Sequence, residues 1–337
     1  ALSCALLLTG CSSLLENPYA VVEPHTERPA TAEDSSAVQA GTYSELVNTV
    51  LFFVSQGTEK GLIQLTDDYD GDVEEDLNRA CLEVAKDDPL GAYAVDFIKN
   101  DCTKVLTTYE ATITISYRRT REQIRSLVNV TGTSAIRDEV RAALADFQSE
   151  VALRVGYFTE SADSIAALVR QAYYDEPAGA LGMPEFTVSL YPASGGQQRI
   201  VEILLTYPED TQALRQKSDD LQSTADALVL PLRPHQLVRA RPDGGPTAWD
   251  ALLGDGADSE GLALTFQLLS GKMEVGSVLV EGTLNGEPHF WNQLTADGGA
   301  HYVDLTRDAS GTTYSAADLL SLGYVWEGAE ENAENLN

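Results

Sequence analysis

Three residues stand at spacings that could do covalent chemistry: Ser259, His289 and Asp304. Ser259 follows the turn-forming run Gly254-Asp255-Gly256 and heads a stretch in which Leu262, Phe266 and Leu269 recur at a helical period. Asp258 is placed to cap that helix, so Ser259 would sit at the positive end of its dipole. His289 comes thirty residues later and Asp304 fifteen after that, both in strand-like context. In a nucleophile–His–Asp set the acid orients the imidazole, and the imidazole takes a proton from the nucleophile. The chemistry would be amide hydrolysis or acyl transfer. Taken singly, each residue could equally belong to a core or a turn; the ordered set carries the reading.

The surrounding residues give a resemblance. Glu260-Gly261, Val280-Glu281-Gly282, His289-Phe290-Trp291-Asn292 and Val303-Asp304-Leu305-Thr306 match the pattern of the transglutaminase-like fold, a relative of papain-type cysteine proteases. The match covers residues 228–326 only, and it implies an α+β domain in which Trp291 and Asn292 support the site. The family has Cys where this chain has Ser259. A thiol with a pKa of about 8.5 is readily ionised by an imidazolium and a helix N-terminus. An alcohol is far less acidic and needs a site built for proton removal during attack. The resemblance therefore implies a degenerate domain, a pseudoenzyme that binds a peptide or cell-wall glycopeptide. The alternative is an amide hydrolase or acyltransferase using Ser259, His289 and Asp304. A third reading is a structural surface protein with a closed cleft.

The elements that must position these residues begin upstream. The chain has 337 residues, 43% of them hydrophobic, enough for several packed units. From 43 to 227 two α/β repeats are expected, 43–131 and 132–227. Each opens with an amphipathic helix, Tyr43, Leu46, Val47, Val50 and Val54 in the first and Ile136, Val140, Leu144, Phe147 and Val151 in the second. Thr42 and Glu45 could form a capping box. A short strand, a second helix and a strand pair follow, with Asp88-Pro89-Leu90-Gly91-Ala92 answered by Glu176-Pro177-Ala178-Gly179-Ala180. Asn100-Asp101 and Ser194-Gly195-Gly196 are the turn candidates. The fold class is thus α+β: a tandem α/β repeat region, then a transglutaminase-like (papain-like) α+β domain. Pro231, Pro234, Pro242, Gly244, Gly245 and Pro246 mark the boundary between them.

The N-terminus points to export. Ala1–Gly10 reads as the end of a signal-peptide core, and Leu8-Thr9-Gly10-Cys11 looks like a bacterial lipobox, with Cys11 lipidated. Residues 12–42, with Pro18, Pro24 and Pro29, read as a disordered linker, and 327–337 as an acidic tail. The expected location is extracytoplasmic, anchored to the bacterial cell membrane through lipid on Cys11. Lys and Arg number 22 against 52 Asp and Glu, a formal charge of −30, which excludes nucleic acid as a partner. Peptide, peptidoglycan or another surface protein remain.

Cys81 lies on the apolar stripe Val73, Leu77, Val84, and Cys102 sits at an expected hairpin turn. A disulfide between them would close a loop of about twenty residues, for roughly 3 kcal/mol in the chain-entropy model; two unpaired thiols are equally compatible with the sequence. The acidic run Asp67–Asp76 fails the EF-hand pattern, which would put its first and twelfth positions on Thr66 and Leu77. It reads instead as an acidic first helical turn. His25, His235 and His301 have no partner at zinc-ligand spacing. No metal and no cofactor are expected.

Overall fold

The computed structural model describes residues 37–182, 184–229, 239–294 and 300–329. Cys11 with the expected signal segment, most of the expected linker, His25, Pro231, Pro234, His235 and the tail beyond 329 lie outside the described residues. The chain forms two compact units. One takes the described residues up to Lys86 and then Ala94–Arg121; the other takes Asp87–Tyr93 and the described residues from Glu122 on.

The first unit is built from β1 (Val38–Ala40), α1 (Tyr43–Gln56), β2 (Lys60–Leu65), α2 (Val73–Lys86), the end of α3 (Pro89–Ala94), β3 (Val95–Val105) and β4 (Thr108–Tyr117). Thr42 Oγ1 accepts the Glu45 amide, while the Glu45 carboxylate accepts from Gly41 N–H rather than from the cap itself. Leu46, Val47, Val50 and Val54 are fully buried, as their period requires. The sheet order is β1-β2-β4-β3, with β1 parallel to β2 and the other pairs antiparallel.

The second unit repeats this order. After α4 (Arg121–Arg125) come β5 (Val128–Val130), α5 (Gly132–Ala145), β6 (Glu150–Val155), α6 (Ala162–Asp175), a 3-10 turn at Gly179–Leu181, β7 (Glu185–Tyr191), β8 (Arg199–Thr206) and α7 (Thr211–Val229). The sheet is β5-β6-β8-β7, with the same senses of pairing. Both repeats open with a three-residue strand that the sequence reading missed. β1 falls inside the expected linker and β5 inside the expected first repeat, because three residues are too few to show an alternation.

Several local expectations change. Asn100 and Asp101 lie in the middle of β3, paired with Ile113 and Thr112; the turn comes at Leu106, with φ 58°, and Thr107. Phe147 leaves α5 in the left-handed region and Val151 belongs to β6. The thiols of Cys81 and Cys102 are both free. The reason is register: Asn100 is the β3 residue opposite Cys81, its Nδ2 lying 3.8 Å from Sγ, and Cys102 sits two residues further along the same strand face. Matching the two sheets by their pairing makes Asn100 and Cys102 the equivalents of Val188 and Leu190, which pack on the core of the second unit. The acidic run caps and braces α2. Asp72 accepts the Glu75 amide, and buried Asp76 accepts from Tyr69 and Arg79.

The rest of the second unit carries β9 (Ala240–Gly245), α8 (Ala248–Leu252), α9 (Ser259–Lys272), β10 (Ser277–Leu284), β11 (Glu287–Leu294), β12 (His301–Val303), β13 (Thr313–Ser315), α10 (Ala316–Ser321) and β14 (Tyr324–Val325). Its sheet runs β13-β12-β11-β10-β14, antiparallel throughout. The fold is α+β. The expected boundary near 231–246 does not divide two cores. Ala248, Leu252, Leu264, Leu268 and Leu269 share one apolar cluster with Val140, Leu153, Val169 and Ile203 of the second repeat. α9 supplies that cluster because most of its circumference is apolar, so burying it takes α7 and α8 as well as the sheet.

Candidate active site

Helix α9 starts where the sequence places it. Asp258 is its N-cap and accepts the Gly261 amide at 3.1 Å, and Ser259 is the first helical residue. The Gly261 position is steric. A Cβ there would stand 2.6 Å from the Thr247 carbonyl oxygen and 2.9 Å from that of Gly245, so only glycine lets the helix approach this backbone. Gly282 of β10 has a similar cause: a Cβ would meet the Val325 carbonyl oxygen at 2.4 Å and the Trp291 ring at 2.6 Å. Gly261 thus lets α9 close on the backbone at the end of β9, and Gly282 makes room on β10 for the Trp291 ring and β14.

His289 lies on β11, and Asp304 directly follows β12, the neighbouring strand. The imidazole Nε2 lies 2.8 Å from Asp304 Oδ2. Asp304 is 1% exposed and takes three further donors: the Tyr324 hydroxyl on Oδ2 at 2.5 Å, and the Thr306 amide and hydroxyl on Oδ1 at 2.8 and 2.5 Å. Burial pushes the Asp304 carboxyl up, but the donors from His289, Thr306 and Tyr324 outweigh it and hold the group below its ordinary range. An ionised acceptor fixes the imidazole with Nε2 protonated and leaves Nδ1 as its basic nitrogen.

Trp291 is 1% exposed and stacks beside His289 with ring centroids 6.1 Å apart. Tyr324 meets the edges of both rings, at 5.8 Å from His289 and 5.1 Å from Trp291. Asn292 sits on the opposite face of β11 and donates to the Ala263 carbonyl at 3.0 Å, tying the strand to α9.

Ser259 is brought against the same strand. Its Oγ accepts the backbone N–H of Phe290, next to His289, at 3.3 Å. No hydrogen bond joins Ser259 to His289 among the described residues. The three expected residues therefore converge on α9, β11 and the end of β12, with the hydroxyl bonded to the backbone beside His289.

Two carboxylates flank Ser259. Burial raises Asp258 above its ordinary range, against the hydrogen bonds of its cap. Burial, then the charges of Asp258 and Glu281, push Glu260 up to about 7. On that side the rings of Tyr174 and Phe290 lie 6.0 Å apart. Sequence reading missed Tyr324 as a member of the site. It stands twenty residues beyond Asp304 in a segment, Leu319 to Trp326, that resembles the closing segment of some transglutaminase-like relatives but carries no sign of a role at the site, and the pairing of β14 with β10 brings it there. Thr306 was visible as the last letter of Val303-Asp304-Leu305-Thr306, without its role as donor. No cluster of side chains able to hold a metal occurs among the described residues.

No known family pattern matches the chain, and no curated protein matches it. A solved structure described as the crystal structure of a TGase matches with a TM-score of 0.25 and 11% identity, over 60% of this chain and 63% of that one. The match spans less than two thirds of that chain's length.

Proposed function

We propose that the chain is a lipid-anchored protein of the bacterial cell envelope whose C-terminal region is a degenerate transglutaminase-like domain, binding a peptide or cell-wall glycopeptide without catalysis. The anchor is lipid on Cys11. The observation that carries the reading is the contrast within the site. His289 and Asp304 keep a fully bonded pair, whereas the position that would hold a thiol carries a hydroxyl that accepts from Phe290 N–H instead of donating to the imidazole. An alcohol so placed has no base engaged to remove its proton, and the helix N-terminus alone cannot ionise it. The net charge of −30 favours neutral or basic ligands over nucleic acid.

A second reading is an amide hydrolase or acyltransferase with Ser259 as nucleophile, His289 as base and Asp304 as orienter. Ser259 at the helix start, one residue from an oriented imidazole, favours it. A fluorophosphonate probe separates the two. Absence of labelling at Ser259 is expected, and labelling that disappears in His289→Ala would establish the serine enzyme. Pull-down with peptidoglycan and peptide libraries tests binding; no retention of either would leave only a structural role. Cys11→Ala should move the protein from the membrane to the soluble fraction, and unchanged fractionation would remove the anchor.

A further inference from the structure

Tyr324 is fully buried and its hydroxyl reaches one acceptor, Asp304 Oδ2, at 2.5 Å. That oxygen is also the one His289 Nε2 uses, at 2.8 Å. The other oxygen, Oδ1, is held by the Thr306 amide and hydroxyl. The carboxylate thus has two donors on each oxygen, and rotation about its Cβ–Cγ bond would break all four bonds at once. Thr306 is local to Asp304, whereas Tyr324 arrives from β14 at the far edge of the sheet, beyond β10. A phenylalanine would fill the same space and make the same edge contacts with His289 and Trp291, so packing does not account for the hydroxyl. A buried hydroxyl aimed at a carboxylate that already serves a histidine sets how strongly that carboxylate attracts the imidazolium.

We propose that Tyr324 is a positioning residue of this site: its hydroxyl holds Asp304 Oδ2 in the orientation that fixes the His289 ring and its tautomer. This rests on the reading of Ser259, His289 and Asp304 as one site. Tyr324 remains protonated, since burial and then the adjacent carboxylate push its phenol well above the ordinary range against the smaller opposing effect of Arg307, so toward Asp304 it acts as a donor. With the donor removed, Oδ2 becomes a stronger acceptor for His289 and the imidazolium gains stability.

The test is the titration of His289 by NMR in the full chain with Ser259 in place, its signals assigned with His289→Ala. Tyr324→Phe should raise the His289 pKa by about half a unit or more. Tyr302→Phe, which removes another buried hydroxyl from the same aromatic cluster, should leave it unchanged. If Tyr324→Phe does not fold, 3-fluorotyrosine placed at position 324 keeps the shape and strengthens the donor, and the His289 pKa should then fall. An unshifted His289 in folded Tyr324→Phe, a shift matched by Tyr302→Phe, or a rise with the fluorinated ring would each overturn the proposal. The titration does not use Ser259 as a nucleophile. A failure of the Ser259 reading and a failure of this one are therefore separate results.

Discussion

The backbone N–H of Phe290 donates to Ser259 Oγ at 3.3 Å, so the hydroxyl is held one residue from His289 without being its partner. The histidine and its carboxylate stay assembled beside it, 2.8 Å apart.

Restoring the thiol tests that placement. Ser259→Cys puts sulfur at the start of α9 beside an oriented imidazole, where thiol pKa values fall by about one unit or more from the ordinary 8.5 or so. Iodoacetamide should alkylate it near neutral pH about tenfold faster than a free cysteine, and His289→Ala in the same background should remove the excess. A thiol that titrates at its ordinary value whether or not His289 is present would show that the three residues are not a triad remnant. Cys81 is the internal control, since burial pushes its thiol up to about 11.

Asp304→Asn should destabilise the fold by roughly 2–4 kcal/mol, because one amide oxygen cannot serve four donors and the amide N–H₂ would face two of them. Its pH dependence has a definite sign. The folded-state carboxyl is depressed, so the stability it contributes is fully present above its ordinary value of 3.8 and is lost as pH falls through the lower folded value. Urea titrations from pH 7 down to pH 2 should show the gap between wild type and variant closing in acid. A gap independent of pH would contradict the charged acceptor.

Glu260→Gln should have the opposite pH profile. The folded state binds this proton more tightly than the unfolded chain, so the Glu260 contribution to stability is most favourable below about pH 4.5 and declines as pH rises toward 7. The carboxyl keeps some contact with solvent and gains from the helix dipole, which reduces the penalty to about 1 kcal/mol at pH 8. Denaturation at pH 8 should therefore favour the variant and at pH 4.5 show little difference. Equal stability at both would remove the strain.

Two glycines of α9 should respond in opposite directions to alanine. At Gly261 the new methyl meets backbone oxygens of Thr247 and Gly245 that cannot yield, costing on the order of 2–3 kcal/mol and displacing Ser259. At Gly271 nothing lies within 4 Å, and alanine should stabilise the helix by about 0.5–1 kcal/mol. Thermal melts of the pair check this, and a neutral Gly261→Ala would mean that the helix start is looser than its contacts imply.

What the sequence alone determined is what neighbouring residues decide among themselves. The cap at Asp258, the helix behind it, the buried stripe of α1 and the strands around His289 and Asp304 follow from local periodicity and capping chemistry, which need no knowledge of partners. The order Ser259, His289, Asp304 was legible for the same reason, since each motif letter sits beside its own strand or helix end. Tertiary structure decided everything that depends on register and sheet order. The three-residue strands β1 and β5 exist only because β2 and β6 are there to pair with them. Asn100 and Asp101 read as a turn by composition, yet ten pairings with β4 keep β3 extended through them and set Asn100 rather than Cys102 against Cys81. The apolar face of α9 was visible, but not that it would complete the core of the second repeat together with α8, because hydrophobic burial is not directional and periodicity does not name a partner. Tyr324 joins Asp304 for the same kind of reason. β14 must first pair with β10 across from β11, and a bond between residues that far apart in sequence is set by the sheet and by no local pattern.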